Sequence, residues 1–525
     1  MKRSELLRAA CLAILFTCTV GVNAQSVTGQ RVECVDGMAG AYACSSVDLL
    51  SFLSLEDLGS PVFNPDTGGR YPLNDMWGWY DDDSGREFAL VGRVDGVSFV
   101  DVTDPVNPFL VGTLPAHVTG TRVASTWRDL KVFNDHAFIV ADGFAGHGMQ
   151  VFDLRRLLDV SGDPVEFDED GHYAGVSSTH NLHINEDTGF AYLVGARGAA
   201  NCTGPGLHIV DLTSPANPEH EACFSDPEIG RGSDGYLHDV QCVIYDGPDT
   251  DHQGRELCFG SGETAVTVTD VTTKTDMFTI STATYPNVSY AHQGWLDEEH
   301  TFFYQNDELD ELGGLAPATR TLVWDVTDVD DPILVKEYLS VRSNIDHNNY
   351  VKDDFLLQSN YSAGLVLLDI AQRDDPVEVG RFDVYPEDDD VNFDGTWSNY
   401  PYFRSGAVGV TSRSIGFFMV APTIAGYQIS VGTEEQPRTA TLLDVYPNPF
   451  TESTTVEFEV DRSQDVRVRM VDMLGRQVAV PFDGPVVAGE RTTVDVHAGS
   501  LPAGVYVLKF SGEDFVSTTS VVLTR

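Results

Sequence analysis

The sequence predicts an all-β chain: a β-propeller of seven blades, or six, followed by a small C-terminal β-sandwich of immunoglobulin-like type. Three observations carry this. Val-Asp-Val-Thr-Asp-Pro at 100–105 returns as Val-Asp-Leu-Thr-Ser-Pro at 210–215 and as Trp-Asp-Val-Thr-Asp from Trp324, with weaker copies around Asp153, Asp270 and Asp369. The anchoring aspartates Asp101, Asp153, Asp211, Asp270, Asp325 and Asp369 are spaced by 52, 58, 59, 55 and 44 residues. Between them lie only short strand-like runs, and a period of this size built from strands marks a blade-by-blade array.

A second mark runs alongside the first. A Trp or His stands in a polar phrase at Trp77, Trp127, His180, His238, His292, His347 and Trp397, with spacings of 50, 53, 58, 54, 55 and 50. It counts seven units. The last lacks the aspartate but keeps the apolar strand Gly416-Phe417-Phe418-Met419-Val420. Within a unit, four- to six-residue runs broken by Asn-Asp, Gly or Asp-Pro read as strands and turns, about four per unit, as in a propeller blade. The repeated aspartates read as turn-formers, since Asp bonds nearby backbone and the following Pro fixes φ. Because the terminal unit is degenerate and the N-terminal segment is able to complete a blade, the count stays open between six and seven.

The elements then follow in order. Residues 1–24 read as a secretory signal peptide: Lys2, Arg3 and Arg8, an apolar run to Val22, and small residues up to Ala24. Residues 25–73 form an N-terminal segment holding Cys34 and Cys44, with an apolar stretch at 47–53 expected to pack on the ring or close it. The propeller spans 74–422, a linker 423–441, and the sandwich 442–525, where Thr455–Val460 and Val466–Val471 alternate apolar and polar residues.

Composition bounds the partners. Acids number 80 against 32 bases, for a formal net charge of -48, a surface that repels nucleic acid and anionic membranes. Such a charge suits high salt or simply keeps a secreted protein soluble. No stretch after the leader reaches the apolar length of a membrane-spanning helix. Six cysteines remain after the leader, and in an exported chain local disulfides Cys34–Cys44, Cys202–Cys223 and Cys242–Cys258 are the expectation. No Cys-x-x-Cys occurs to favour zinc.

Equivalent positions of successive blades form a ring around a propeller axis. His180, His238, His292 and His347 are therefore expected on adjacent blades, with Trp77, Trp127 and Trp397 on the others and Asp129 and Asp239 near them. This ring is the candidate site. It reads as a hydrogen-bonded channel lining, as a place for a small ligand or glycan stacked on the aromatic rings, or as a divalent-metal site with the four histidines as ligands. No cofactor follows from the sequence beyond that metal. Asp390-Val-Asn-Phe-Asp-Gly matches half a calcium loop, but Pro401 stands where the bidentate Glu belongs, so it reads as an acidic turn. No serine-hydrolase elbow, phosphate loop or His-Glu-x-x-His is present.

Two resemblances extend this reading. The C-terminal segment resembles the sorting domain of type IX secretion cargo from Bacteroidetes-like bacteria, through Tyr446-Pro447-Asn448-Pro449-Phe450, then Asp472-Met-Leu-Gly475-Arg476, then Leu501-Pro-Ala-Gly504-Val-Tyr506. It implies the type IX machinery as a partner, passage across the outer membrane, removal of the domain, and release or attachment at the surface. The body resembles the choice-of-anchor B family, whose propeller is built of LVIVD repeats, through Asn74–Trp79, Trp127-Arg-Asp, Gly146–Asp153, His292-Gln-Gly-Trp and Ile345-Asp-His-Asn. That family brings no catalytic residue. The expectation is a surface-displayed binding module for an unidentified extracellular protein, glycan or small ligand. The alternative is a metal-dependent extracellular hydrolase or lyase acting in the channel.

Overall fold

A computed structural model describes residues 25–199, 202–428, 441–460, 463–472, 477–489, 491–499, 501–512 and 516–524. The proposed leader, most of the linker, and Gly475 and Arg476 of the sorting motif lie outside the described residues. Strands dominate, and the described helical structure is one short 3-10 turn at Leu154–Leu157.

Seven sheets of four core strands each occupy the chain up to Pro422. Their first strands are Leu73–Asp81, Arg128–Phe133, Asn181–Asn185, Asp239–Ile244, Ala291–Leu296, Asn349–Lys352 and Thr396–Tyr400. Each touches the first strand of the next sheet, and Thr396–Tyr400 touches Leu73–Asp81, so the sheets close into a ring consistent with a β-propeller. In the first six sheets the four core strands pair antiparallel in sequence order, the meander that short turns allow. The core lies between neighbouring sheets: Phe99 of the first stacks on Phe152 of the second at 4.6 Å, and Phe259 of the fourth on Phe303 of the fifth at 5.8 Å.

The repeated aspartates end the third strand of each of the first six sheets. Each accepts a backbone N–H from two residues onward: Thr103 to Asp101 at 2.9 Å, Thr213 to Asp211 at 2.7 Å, Thr272 to Asp270 at 2.9 Å. These are turn-forming bonds, so the repeat is structural. A β-bulge recurs between the third and fourth strands, at Phe99/Val100, Ile209/Val210, Val268/Thr269, Val323/Trp324 and Leu367/Leu368.

The seventh sheet is completed from the N-terminal side. Val47–Ser54 is its outer strand, antiparallel to Gly416–Pro422 from Val47↔Pro422 to Ser54↔Gly416. Gly416 has φ +155, and a Cβ there would meet the Leu53 carbonyl oxygen at 2.2 Å, so this seam requires glycine. Just upstream, Tyr42–Ser45 adds to the outer edge of the sixth sheet beside Val377–Phe382. The N-terminal segment is thus built into the ring, and the strands of the ring run from Met38 to Pro422.

Three disulfides join Cys34–Cys44, Cys202–Cys223 and Cys242–Cys258. Residues 441–523 form a three-stranded and a four-stranded sheet sharing one core that includes Phe458, Val468 and Phe510. Part of the sorting motif anchors this core. Phe450 is buried, its N–H donating to the Val522 carbonyl at 2.9 Å; Asn448 accepts the Val522 N–H at 2.8 Å; and the Tyr506 hydroxyl donates to the Pro502 carbonyl at 2.7 Å. Among the described residues, no helix is long and apolar enough to cross a membrane.

Candidate functional site

The first strands face the centre of the ring, and their polar residues stack along it in three levels. At one mouth, aromatic rings pass from sheet to sheet in unbroken contact: His180–His238 at 4.3 Å, His238–His292 at 4.2 Å, His292–His347 at 4.5 Å and His347–Trp397 at 4.4 Å. They line a cavity of about 300 Å³ together with Trp127, Tyr236, Tyr290, Asp142, Arg197 and Glu308. Trp127 is 46% exposed at its lip, whereas the histidines at 238, 292 and 347 are buried.

Hydrogen bonds fix how the imidazoles point. His238 Nδ1 meets the His292 carbonyl at 3.0 Å, and His347 Nδ1 meets the Trp397 carbonyl at 2.6 Å. A carbonyl only accepts, so both Nδ1 atoms carry the proton and both Nε2 atoms keep a lone pair. His180 Nδ1 donates to the Asp142 carboxylate at 3.0 Å. Burial drives the pKa of His238 and His347 well below the ordinary value, aided by neighbouring histidines, and burial lowers that of His292 as well, partly opposed by Glu308. These three imidazoles are therefore neutral. His292 and His347 both reach Glu308, with Nε2 to carboxylate distances of 3.8 and 3.9 Å. These three donor atoms lie within 4.8 Å of one another, a set that fits a divalent cation.

One consequence is a pH dependence of folding. The unfolded chain takes up protons below about pH 6.5, while the buried rings resist them. The stability from burying neutral imidazoles is full above that pH and lost as pH falls toward the depressed folded values. Urea melts are expected to show stability falling from about pH 7 to about pH 4.5, with a shallower fall in the His238→Gln, His347→Gln double variant. Equal slopes in both proteins would refute this.

The middle level is ionic. Asp75, Asp129 and Asp239 each accept the N–H of the following residue, at 2.7, 2.7 and 2.6 Å. Asp129 also accepts the Leu182 N–H of the next sheet at 2.7 Å, and Asn181 donates to Asp239 at 3.1 Å. Lys131 reaches Asp129 at 2.5 Å and is buried. Burial opposes the Lys131 charge, but Asp129 and Asp75 outweigh it and raise its pKa. Burial, reinforced by Asp129, pushes Asp239 up to about 7, and burial raises Asp75 far above the ordinary carboxyl range.

The opposite mouth holds a cavity of about 260 Å³ lined by Trp77, Lys131, His183, Trp295, Tyr400 and Tyr402 among others. Trp77 packs on Tyr400 at 5.1 Å, with the Lys131 ammonium 4.5 Å over its ring. His183 Nε2 donates to the Cys242 carbonyl at 3.0 Å, and burial lowers its pKa to about 4.

The structure thus separates the sequence-derived set. Trp127, His180, His238, His292, His347 and Trp397 meet at one mouth. Trp77 is at the other: Met76 and Leu130 both bond the carboxylate of the residue before them, which aligns Asp75 with Asp129 and so sets Trp77 level with Lys131. Asp129 and Asp239 lie between the mouths and do not line the histidine cavity, being committed to bonds between sheets. Sequence reasoning missed Tyr236, Tyr290, Asp142, Arg197 and Glu308. The tyrosines had a signal in Tyr236-Leu-His238 and Tyr290-Ala-His292, a repeated Tyr-x-His. The turn at 390–395 is held by its own side chains, Asn392 accepting the Asp394 N–H at 2.7 Å, and Asp394 also accepts the Ser414 hydroxyl at 2.6 Å.

No curated protein sequence matches the chain. Solved structures similar to it include a protein from Lactobacillus plantarum, 10% identical with a TM-score of 0.42 over 81% of this chain and 99% of that one. An outer coat vertex protein of COPII on membranes is 11% identical with a TM-score of 0.45 over 78% and 98%. A fungal alcohol oxidase of the AA5 family, in complex with copper, is 9% identical with a TM-score of 0.43 over 87% and 100%. Residues 444–524 match the secretion system C-terminal sorting domain, which supports export to the cell surface or beyond by the type IX system.

Proposed function

We propose that this protein is a secreted, surface-displayed seven-bladed β-propeller of the choice-of-anchor B kind that binds an extracellular partner at its histidine mouth. In this reading each of the seven sheets is one blade, the sorting domain is an immunoglobulin-like sandwich removed on export, and the source is a Bacteroidetes-like bacterium. The family assignment of the body stands on its sequence motifs. The observation that carries the binding reading is the ring of imidazoles in which the His238 and His347 Nδ1 protons are tied to backbone, leaving their Nε2 acceptors beside tyrosine and tryptophan faces around a cavity of about 300 Å³. Such a lining suits a small polar ligand or the exposed end of a glycan, with hydroxyls donating to Nε2 and rings stacking on Trp127.

A second reading is favoured by one grouping. His292, Glu308 and His347 hold three donors in metal-binding range, which would suit a metal-dependent hydrolase or lyase. Metal analysis of the mature protein by plasma mass spectrometry, together with glycan and small-ligand binding arrays, separates the two. The binding reading expects array hits that weaken at least about tenfold, ~1.4 kcal/mol, in Trp127→Ala and His238→Ala. A stoichiometric metal lost in His292→Ala and His347→Ala would put the enzyme first. No hit and no channel metal would sink both.

A further inference from the structure

The third sheet carries a group of side chains that the channel does not use. On its two outer strands and the loop before them, Cys202, His208, His220 and Cys223 bring two sulfurs and two imidazole nitrogens within 4.8 Å of one another. Cys202 Sγ lies 3.1 Å from His208 Nδ1 and 4.0 Å from His220 Nε2. Cys223 Sγ lies 3.3 Å from His220 Nε2 and 3.8 Å from His208 Nδ1. Around tetrahedral zinc, with Zn–S about 2.3 Å and Zn–N about 2.05 Å, sulfur and nitrogen ligands stand roughly 3.6 Å apart. All four sulfur–nitrogen separations straddle that value.

Backbone geometry explains the gathering. His208 and Cys223 are direct partners across Leu207–Asp211 and Glu219–Phe224. His220 and Cys223, three apart, would face opposite sides of a regular strand. The bulge at Ile209/Val210 pairs Ile209 with Ala222 and Val210 with His220, leaving Glu221 as the extra residue. This returns His220 to the side of Cys223. The same bulge recurs in four other sheets, so the site borrows a device of the fold.

The buried His208 is also oriented as metal ligands usually are. Its Nε2 sits 2.7 Å from the Tyr173 hydroxyl. A proton on Nε2 donated to that oxygen leaves the Nδ1 lone pair aimed at the sulfurs, the outer-shell arrangement that fixes a ligand's tautomer. Burial, with His220 nearby, lowers the His208 pKa to about 4, so the ring is neutral. Among the described residues, neither of the other two cysteine pairs joins such a group.

We propose that the Cys202–Cys223 disulfide is the oxidised form of a Cys2His2 site that binds zinc in its dithiol form. Binding is an exchange without electron transfer: each thiol loses its proton as its sulfur takes up Zn2+, and two protons leave. Passage from the disulfide requires two electrons and two protons from a dithiol reductant, which is itself oxidised to a disulfide. The two forms exclude each other. The site is independent of the channel proposal.

The test uses the mature chain, from residue 25, purified under anaerobic conditions with a dithiol and then loaded with Zn2+ or Co2+ after the dithiol is removed. One metal per chain is expected at this site, with Cys202 and Cys223 protected from alkylation in peptide mapping. The Co2+ form should show a thiolate-to-cobalt charge-transfer band and tetrahedral d–d bands. His220→Ala, at an exposed position, and His208→Ala should each lose the band and weaken metal binding at least tenfold with unchanged circular dichroism, while His292→Ala should keep the band. Equal alkylation of Cys202 and Cys223 with and without Zn2+ would overturn the proposal. A band that survives in folded His220→Ala would overturn it equally.

Discussion

Replacing Phe52 by Ala is expected to destabilise the ring by about 3–5 kcal/mol. Phe52 is fully buried in the strand that completes the seventh sheet, its ring 4.6 Å from Phe418 and 6.2 Å from Tyr42. Truncation opens a cavity where the N-terminal segment meets the last strand of the ring, and it weakens the sheet that takes its outer strand from the N-terminal side. All six tryptophans lie between residues 77 and 397, so their fluorescence reports the ring and not the sorting domain. The urea midpoint followed by tryptophan emission should move by that amount. A shift worth less than about 1 kcal/mol would mean the seam is not under load. Exposed Val341, changed to Ala, serves as the control and should move nothing.

The second large effect is expected at the ionic level of the channel. Lys131→Met keeps the length of the side chain and removes the cation that faces Asp129, Asp75 and Asp239. Breaking a buried pair by removing one partner leaves uncompensated charge, worth about 3–5 kcal/mol. The pH sign follows from the carboxyl groups. Asp75 and Asp239 have raised folded pKa values, so the stability they contribute is complete below the unfolded value and lost as pH rises through the folded one, about 7 for Asp239. Without Lys131 the acids are harder still to ionise. The deficit of the variant should therefore be largest near about pH 8 and shrink on acidification to about pH 5. A deficit that does not change with pH would assign it to lost packing on Trp77 instead.

Much of this architecture was legible because it repeats. The Asp101 series announced the turn after each third strand, and the His and Trp series announced the first strands. The disulfide partners were legible from proximity alone. The slip at Trp77 has a physical origin. With Asp75 aligned to Asp129, the residue of Leu73–Asp81 level with Trp127 is Leu73, which no aromatic or histidine marks, and Trp77 falls level with Lys131. The aligned Asp75 and Asp129 are 54 residues apart, closer to the rest of the series than 50. The Cys202 group was illegible for a related reason. Period-two reading puts His220 and Cys223 on opposite faces, and only the bulge unites them. Tyr236, Tyr290 and Glu308 reach the mouth from loops, Glu308 from the turn after Phe302–Asp307, placements that local pattern does not encode.

The outer strand of the seventh sheet also sets an order of events. Val47–Ser54 pairs with Gly416–Pro422, segments roughly 370 residues apart, so the last contact of the ring carries nearly the largest loop-closure entropy the chain has to offer. However the other sheets form, the ring cannot shut until the final strand has been delivered. Until then the edge of Val47–Ser54 presents unpaired backbone, open to strand addition from any other chain nearby. A chain handed across a membrane from its first residue onward holds its closing strand ready from the start and waits for the last one. Completion of folding is thereby tied to completion of delivery.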